Sequence, residues 1–166
     1  MRNLFLVLFT SLLLISCAEK EKTKVIYIVR HAEKQLVQDP DPELAQVGYV
    51  RSRKLAQILQ DQDIQHIFST DYKRTQLTVQ PTAEQAGLEI QSYDPRNQSD
   101  LVEKLKDLDG NVLVVGHSNT VSQLANEFIE EGEKFQDLQD NEYDFIYEVH
   151  LNPEGSMVLR KVYKDY

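Results

Sequence analysis

Apolar and polar positions along this chain alternate between two rhythms. Val25 to Val29 (VIYIV) and Val112 to Val115 (VLVV) are unbroken apolar, β-branched runs, the pattern of strands buried on both faces. Ile64 to Phe68 (IQHIF) reads as a shorter strand and Glu89 to Tyr93 as a weak one. Helical spacing fills the gaps. Pro42 to Leu59 sets Leu44, Val47, Leu55, Ile58 and Leu59 on one face after an Asp-Pro pair, a helix-start signal. Tyr72 to Gln85 predicts a second helix, with Pro81 as a kink or break. Ser99 to Leu108 predicts a third, closed by Asp109-Gly110, and Ser118 to Glu130 a fourth. Asp144 to Leu151 and Met157 to Tyr163 flank Asn152-Pro153-Glu154-Gly155 and read as a hairpin. The order β-α-β-α-β-α-β-α-β-β predicts an α/β three-layer sandwich with a mostly parallel central sheet and an antiparallel C-terminal hairpin.

The N-terminus follows a different rule. Arg2 precedes an apolar run from Leu4 to Ile15, interrupted only by Thr10 and Ser11. The run is too short to cross a bilayer, which takes about 20 residues, and fits the apolar region of a secretory signal. Its end, Leu14-Ile15-Ser16-Cys17, resembles a bacterial lipobox. That resemblance implies cleavage after Ser16 and lipid on Cys17, the only cysteine. Residues 1–16 are then a lipoprotein signal peptide, 17–23 a lipidated cysteine with a polar tether, and 24–166 the folded domain. The expected location is the bacterial cell envelope, lipid-anchored, on a periplasmic or outer-membrane face.

Composition narrows the chemistry. Eighteen Lys and Arg against 27 Asp and Glu give a net charge of −9, which argues against nucleic acid as a partner. A lone cysteine excludes an internal disulfide and a cysteine-based zinc site. His31-Ala32-Glu33 could be read as the H-x-E of a zinc deaminase, but the chain lacks the Pro-Cys-x-x-Cys partner.

In parallel sheets, ligands collect beyond the carboxyl ends of the strands. The first strand ends in Arg30-His31-Ala32-Glu33-Lys34, and the strand at 112–115 ends in Gly116-His117-Ser118-Asn119. The strand at 64–68 ends in Ser69-Thr70-Asp71, with Arg74 one helical turn further on. Two histidines and two arginines can therefore converge at one edge. Guanidinium forks grip phosphate oxygens in pairs, and a helix start beside them favours anions. His66 alternates with apolar neighbours and reads as structural, as does His150 on the hairpin. The acidic stretch from Glu127 to Asp144 reads as a solvated loop or helix face.

RHAEK at 30–34, LAQVG at 44–48, STDYKRTQLT at 69–78 and GHS at 116–118 resemble, in order, the motifs of the histidine phosphatase superfamily. The resemblance covers roughly residues 24–166 and implies the phosphoglycerate mutase-like fold. It further implies a metal-independent phosphomonoesterase with no cofactor. In it His31 attacks phosphorus, while Arg30, Arg74, His117 and Ser118 hold the phosphoryl oxygens. Gln76 falls one position short of the family pattern and reads as helix packing. Glu33, two residues from His31, is the candidate proton donor, with Asp94 and Glu103 in reserve. Three departures stand out: Lys34-Gln35 follow Glu33, no acid motif is recognisable between Thr82 and Asn111, and Ser118 stands where another branch has Asp. The expected substrate is a small phosphomonoester, with an envelope sugar phosphate as one candidate. The resemblance also argues against a mutase, because the chain lacks the insertions that enclose a bisphosphorylated sugar acid in that subgroup. The alternative is a non-catalytic phosphate- or phosphoglycan-binding lipoprotein on the same fold.

Overall fold

The computed structural model describes residues 23–166. The signal peptide and most of the tether read from the sequence, including Cys17, lie outside the described residues. Among those described, no helix is long and apolar enough to cross a membrane.

Six strands form one sheet: β1 (Lys24–Arg30), β2 (Ile64–Ser69), β3 (Ile90–Ser92), β4 (Asn111–Gly116), β5 (Phe145–Asn152) and β6 (Gly155–Val162). Their order is β3-β2-β4-β1-β5-β6. The first four run parallel, while β5 is antiparallel to β1 and β6 to β5. The expected sandwich with its C-terminal hairpin is thus present.

Alternation along the central strands builds two cores, because successive side chains point to opposite faces. Ile26, Ile28, Val112 and Val114 face one side, against Leu101 and Leu105 of α3 (Gln98–Asp107) and Leu124 of α4 (Val121–Asn126). Tyr27, Val29, Leu113 and Val115 face the other, against Leu55 and Leu59 of α1 (Gln46–Leu59) and Val79 of α2 (Lys73–Ala86). The chain leaves β1 toward α1 on one face and β4 toward α4 on the other. The adjacent ends of β1 and β4 therefore form a topological switch point, where the chain opens a crevice.

Three helices differ from the expectation. α1 begins at Gln46, four positions after the Pro42 start read from the sequence, because Leu44 pairs with Lys34 instead. α2 continues through Pro81 without breaking. α4 is only six residues long, beginning three positions later than the apolar spacing suggests. Residues 117–120 instead form a turn, in which the Thr120 and Val121 N–H groups both donate to the His117 carbonyl.

The LAQVG segment has a physical explanation. Lys34 and Leu44 form an isolated antiparallel bridge, and Ala45 N–H donates to the Glu33 carbonyl at 2.8 Å. α1 then passes so close to the loop after β1 that a Cβ on Gly48 would collide with the Glu33 carbonyl oxygen. Gly48→Ala should cost about 1–3 kcal/mol through overpacking and push Glu33 out of place. Thermal unfolding should show the lowered midpoint.

Candidate active site

β1 and β4 pair in register, with Arg30 opposite Gly116. His31 N–H continues the ladder by donating to the Gly116 carbonyl at 2.9 Å. A side chain at Gly116 would meet the Tyr93 hydroxyl at 2.8 Å and Thr120 Oγ1 at 2.9 Å, so the position suits glycine. Thr120 Oγ1 accepts the His117 N–H at 2.9 Å and fixes the next turn. The result sets the rings of His31 and His117 edge to face, with centroids 5.5 Å apart.

The hydrogen bonds define both tautomers. His31 Nδ1 lies 2.8 Å from the Ala32 carbonyl, which can only accept, so Nδ1 carries the proton. Nε2 keeps its lone pair. His117 Nδ1 faces Arg74 Nη2 at 3.4 Å, and a guanidinium can only donate. His117 Nε2 therefore donates to Thr70 Oγ1 at 3.1 Å, and Thr70 passes the chain to Thr75 Oγ1 at 3.0 Å. Burial pushes the His31 imidazolium pKa down to about 3, against the Ala32 hydrogen bond and with Arg30, Arg74 and His117 adding repulsion. Burial, then Arg74 and Arg30, lowers His117 to about 4. Both rings are neutral near pH 7.

The arginines are held by different means. Arg74, at the start of α2, lies over the Tyr72 ring at 4.2 Å, and its Nη1 is 3.6 Å from Asp41. Asp41 also accepts the Lys73 N–H at 3.0 Å, so it braces the helix start beside Arg74. Arg30 Nη1 donates to the carbonyls of Gln139, Asp140 and Glu142 at 2.8, 3.2 and 3.0 Å. Its guanidinium stacks 4.0 Å over the Tyr143 ring, and Nη2 reaches the Tyr143 hydroxyl at 3.3 Å. The Nε atoms of both arginines are buried without a partner.

Tyr143 is not among the residues the sequence singles out. The acidic stretch is not merely a solvated face, because residues 139–143 fold over Arg30 and bring the Tyr143 ring within 6.1 Å of His31. Antiparallel pairing was the available signal. β5 runs opposite to β1, so the residues just before β5 must lie where β1 ends.

Glu33 requires a correction. Its carboxylate is gripped by Arg51, with Nε donating at 3.1 and 2.9 Å and Nη2 at 2.7 Å. Partial burial pushes the carboxyl pKa up, but the Arg51 hydrogen bonds and charge outweigh this and hold it below the usual range. A carboxylate held ionised has no proton to donate. Of the reserve candidates, Asp94 is paired with Arg96 at 2.9 Å, and Glu103 is on the exposed surface of α3.

The remaining residues fall into place without new chemistry. Ser118 begins the turn after His117, and its carbonyl accepts the Leu138 N–H. Gln76 donates to the Thr70 carbonyl at 3.0 Å, and Thr78 Oγ1 accepts the Ala32 N–H at 2.9 Å. α2 thereby braces the loop that carries His31. His66 bonds the Asp109 carbonyl and His150 pairs with Glu148, both away from this edge. Among the described residues, no three His, Cys, Asp or Glu side chains cluster as a metal site. A larger cavity of about 870 Å³ lies at the opposite sheet edge. Of its two cations, Lys24 is committed to the carbonyls of Leu105, Lys106 and Leu108, and Lys106 Nζ lies 5.8 Å from the Phe128 ring.

Comparison with known proteins agrees with this geometry. The chain is 29% identical over 144 residues to a protein of Serratia proteamaculans named "Probable phosphoglycerate mutase GpmB", covering 81% of this chain and 66% of that protein. The protein histidine phosphatase SixA, solved with tungstate, superposes with a TM-score of 0.70 at 19% identity, covering 85% of this chain and 98% of SixA. A mycobacterial glucosyl-3-phosphoglycerate phosphatase superposes with a TM-score of 0.62 at 12% identity, covering 85% and 98%. The model of the histidine phosphatase superfamily (branch 1) matches residues 26–159, and with the paired histidines and arginines at the ends of β1, β4 and α2 this chain belongs to that superfamily.

Proposed function

We propose that this protein is an extracytoplasmic phosphatase that hydrolyses a small phosphomonoester through a phosphohistidine on His31. The observation that carries the reading is the fixed tautomer of His31. Its Nδ1–H is spent on the Ala32 carbonyl, so a neutral Nε2 lone pair stands beside Arg30, Arg74 and His117. In the first step Nε2 forms a bond to phosphorus and the bond to the leaving oxygen breaks. Arg30 and Arg74 stabilise the charge on the phosphoryl oxygens from fixed positions. With Glu33 ionised, water supplies the proton for the departing oxygen. Water next attacks phosphorus, the P–N bond breaks, and neutral His31 returns with inorganic phosphate.

The match to the mutase-named relative spans 66% of that protein, and hydrolysis is the activity proposed. The pairing of Glu33 with Arg51 removes the expected acid and favours the second reading, a non-catalytic phosphate-binding lipoprotein. One experiment separates the two. The full chain should turn over p-nitrophenyl phosphate, whose leaving group departs without a proton. His31→Ala should lower this by on the order of 10⁴-fold or more with unchanged melting. An acid quench during turnover should trap acid-labile, base-stable phosphate on the wild-type chain. Binding of phosphate with no turnover would establish the binder.

The pH profile tests the electrostatics. kcat/KM reports groups of the free enzyme, and His31 and His117 lie at about 3 and about 4. A protonated Nε2 has no lone pair, so activity is lost only as pH falls toward those values. Corrected for substrate ionisation, kcat/KM should stay level from pH 8 to pH 5. An acid limb centred near 6.5 would show that neither ring is shielded as described.

Anchoring rests on Leu14-Ile15-Ser16-Cys17 at the end of the apolar run. Cys17 carries the lipid and holds the domain at the envelope surface, since several acyl chains together give stable attachment. Intact mass of membrane-extracted protein should begin at residue 17 with added acyl mass, and Cys17→Ser should release the protein from the membrane fraction.

A further inference from the structure

Two hydroxyls lie behind His117, and each has one proton to place. Thr75 Oγ1 is 2.9 Å from the Thr70 carbonyl and 2.8 Å from the Tyr72 carbonyl. Carbonyl oxygens only accept, so the Thr75 proton is spent on the backbone. The contact of Thr75 Oγ1 with Thr70 Oγ1 at 3.0 Å must then take its proton from Thr70. Thr70 has none left for His117, and its 3.1 Å contact with His117 Nε2 needs the proton on nitrogen. This order starts at the backbone and never involves Arg74. It ends at the same tautomer that the Arg74 guanidinium requires, Nε2–H with the lone pair on Nδ1. The two histidines of the site therefore hold opposite tautomers, since His31 carries its proton on Nδ1.

The Thr75 hydroxyl is not needed to close the backbone around it. The Thr70 carbonyl also accepts from Gln76 Nε2 and Ser69 Oγ, both at 3.0 Å. The Tyr72 carbonyl also accepts from the Thr75 and Gln76 N–H groups at 3.1 and 3.0 Å. Removing the hydroxyl leaves both carbonyls paired. What it takes away is the acceptor that commits the Thr70 proton. Thr70 and Thr75 are fully buried, so outside water does not replace that acceptor. A released Thr70 can donate to His117 Nε2, which moves the imidazole proton to Nδ1. An N–H there faces the N–H donors of Arg74, and Nη2 loses its partner on the ring. Asp41 reaches Nη1 and Tyr72 lies against the guanidinium carbon, so Nη2 is the end that depends on His117.

We propose that Thr75, acting through Thr70, is a positioning residue: it fixes the His117 proton on Nε2, keeps the Nδ1 lone pair for Arg74, and so holds that guanidinium in place to bind a phosphoryl group. Its effect on turnover rests on the phosphatase reading above, while its effects on the tautomer and on phosphate affinity do not. Thr75 touches neither His117 nor the phosphate site directly, and its influence passes along hydrogen bonds in a buried network, where each bond depends on the next.

Nitrogen-15 NMR of the full chain reads the tautomer directly, with the His117 signals assigned by their loss in His117→Asn. At pH 7 the wild type should show a protonated Nε2 and a bare Nδ1. A protonated Nδ1 would overturn the proposal before any Thr75 variant is made. Thr75→Val keeps the shape of the side chain and removes the hydroxyl. It should shift His117 toward the Nδ1–H form and weaken inorganic phosphate binding, read by calorimetry, about tenfold. With p-nitrophenyl phosphate it should raise KM more than it lowers kcat. Thr75→Ser returns the hydroxyl and should restore all three readouts. Wild-type tautomer and phosphate affinity in Thr75→Val would reject the role. Thermal unfolding checks that this variant is folded at the assay temperature, and Thr75→Ala, which needs less space, replaces it if it is not. If the wild type does not hydrolyse p-nitrophenyl phosphate, the phosphatase reading fails by itself, and NMR with calorimetry still decides what Thr75 does.

Discussion

The parallel pairing of β1 with β4 is the constraint on which the site depends. Arg30 stands opposite Gly116, and the next rung is the His31 N–H on the Gly116 carbonyl. One register therefore sets two histidines side by side, from segments more than eighty residues apart in the chain. A slip of one residue would send each side chain to the other face and dissolve the arrangement. The apolar faces on both sides of these strands prevent the slip, because Ile26, Ile28, Val112 and Val114 fill one core while Tyr27, Val29, Leu113 and Val115 fill the other.

Around this frame the protein solves an electrostatic problem. Two guanidinium groups and two imidazoles share one crevice, and like charges in a partly buried space repel. The imidazoles respond by staying neutral, which suits a nucleophile that must offer a lone pair. The arginines cannot lose their protons, so their surroundings carry the compensation. Asp41 stands by Arg74, while Arg30 lies among three backbone carbonyls and the face of Tyr143. Carbonyl dipoles orient a guanidinium without neutralising it, leaving its net charge for an anion. Glu33, the nearest carboxylate in sequence to His31, is paired with Arg51.

The loop over Arg30 shows how this arrangement is kept rigid. Gln139 N–H donates to the Glu142 carboxylate at 2.7 Å and Glu142 N–H to the Gln139 carbonyl at 3.0 Å, closing a small turn. Leu138, buried just before it, anchors the loop in the core and donates to the Ser118 carbonyl. The loop thus joins the ends of β1 and β4 from the outside, much as Thr78 joins β1 to α2 from the other side.

The sequence by itself determined the layers and marked four candidate site residues. Unbroken β-branched runs must be buried on both faces, and Arg30, His31, Arg74 and His117 sit within a few residues of where such runs stop. Parallel order puts them at one end of the sheet, and the adjacency and register of β1 and β4 bring the two histidines together. The tertiary structure decided everything that depends on which distant atom arrives beside which. Pairing of Glu33 with Arg51 rather than with Arg30 or Arg74 arises because α1 passes against the Glu33 backbone at Gly48. The late start of α4 arises because Thr120 bonds the His117 backbone instead of beginning a helix. The role of residues 139–143 arises from the antiparallel return of β5 beside β1. Local periodicity reports which face of a segment is apolar. It does not report which polar side chains converge once the faces are packed, since those contacts are fixed by the three-dimensional path of the chain.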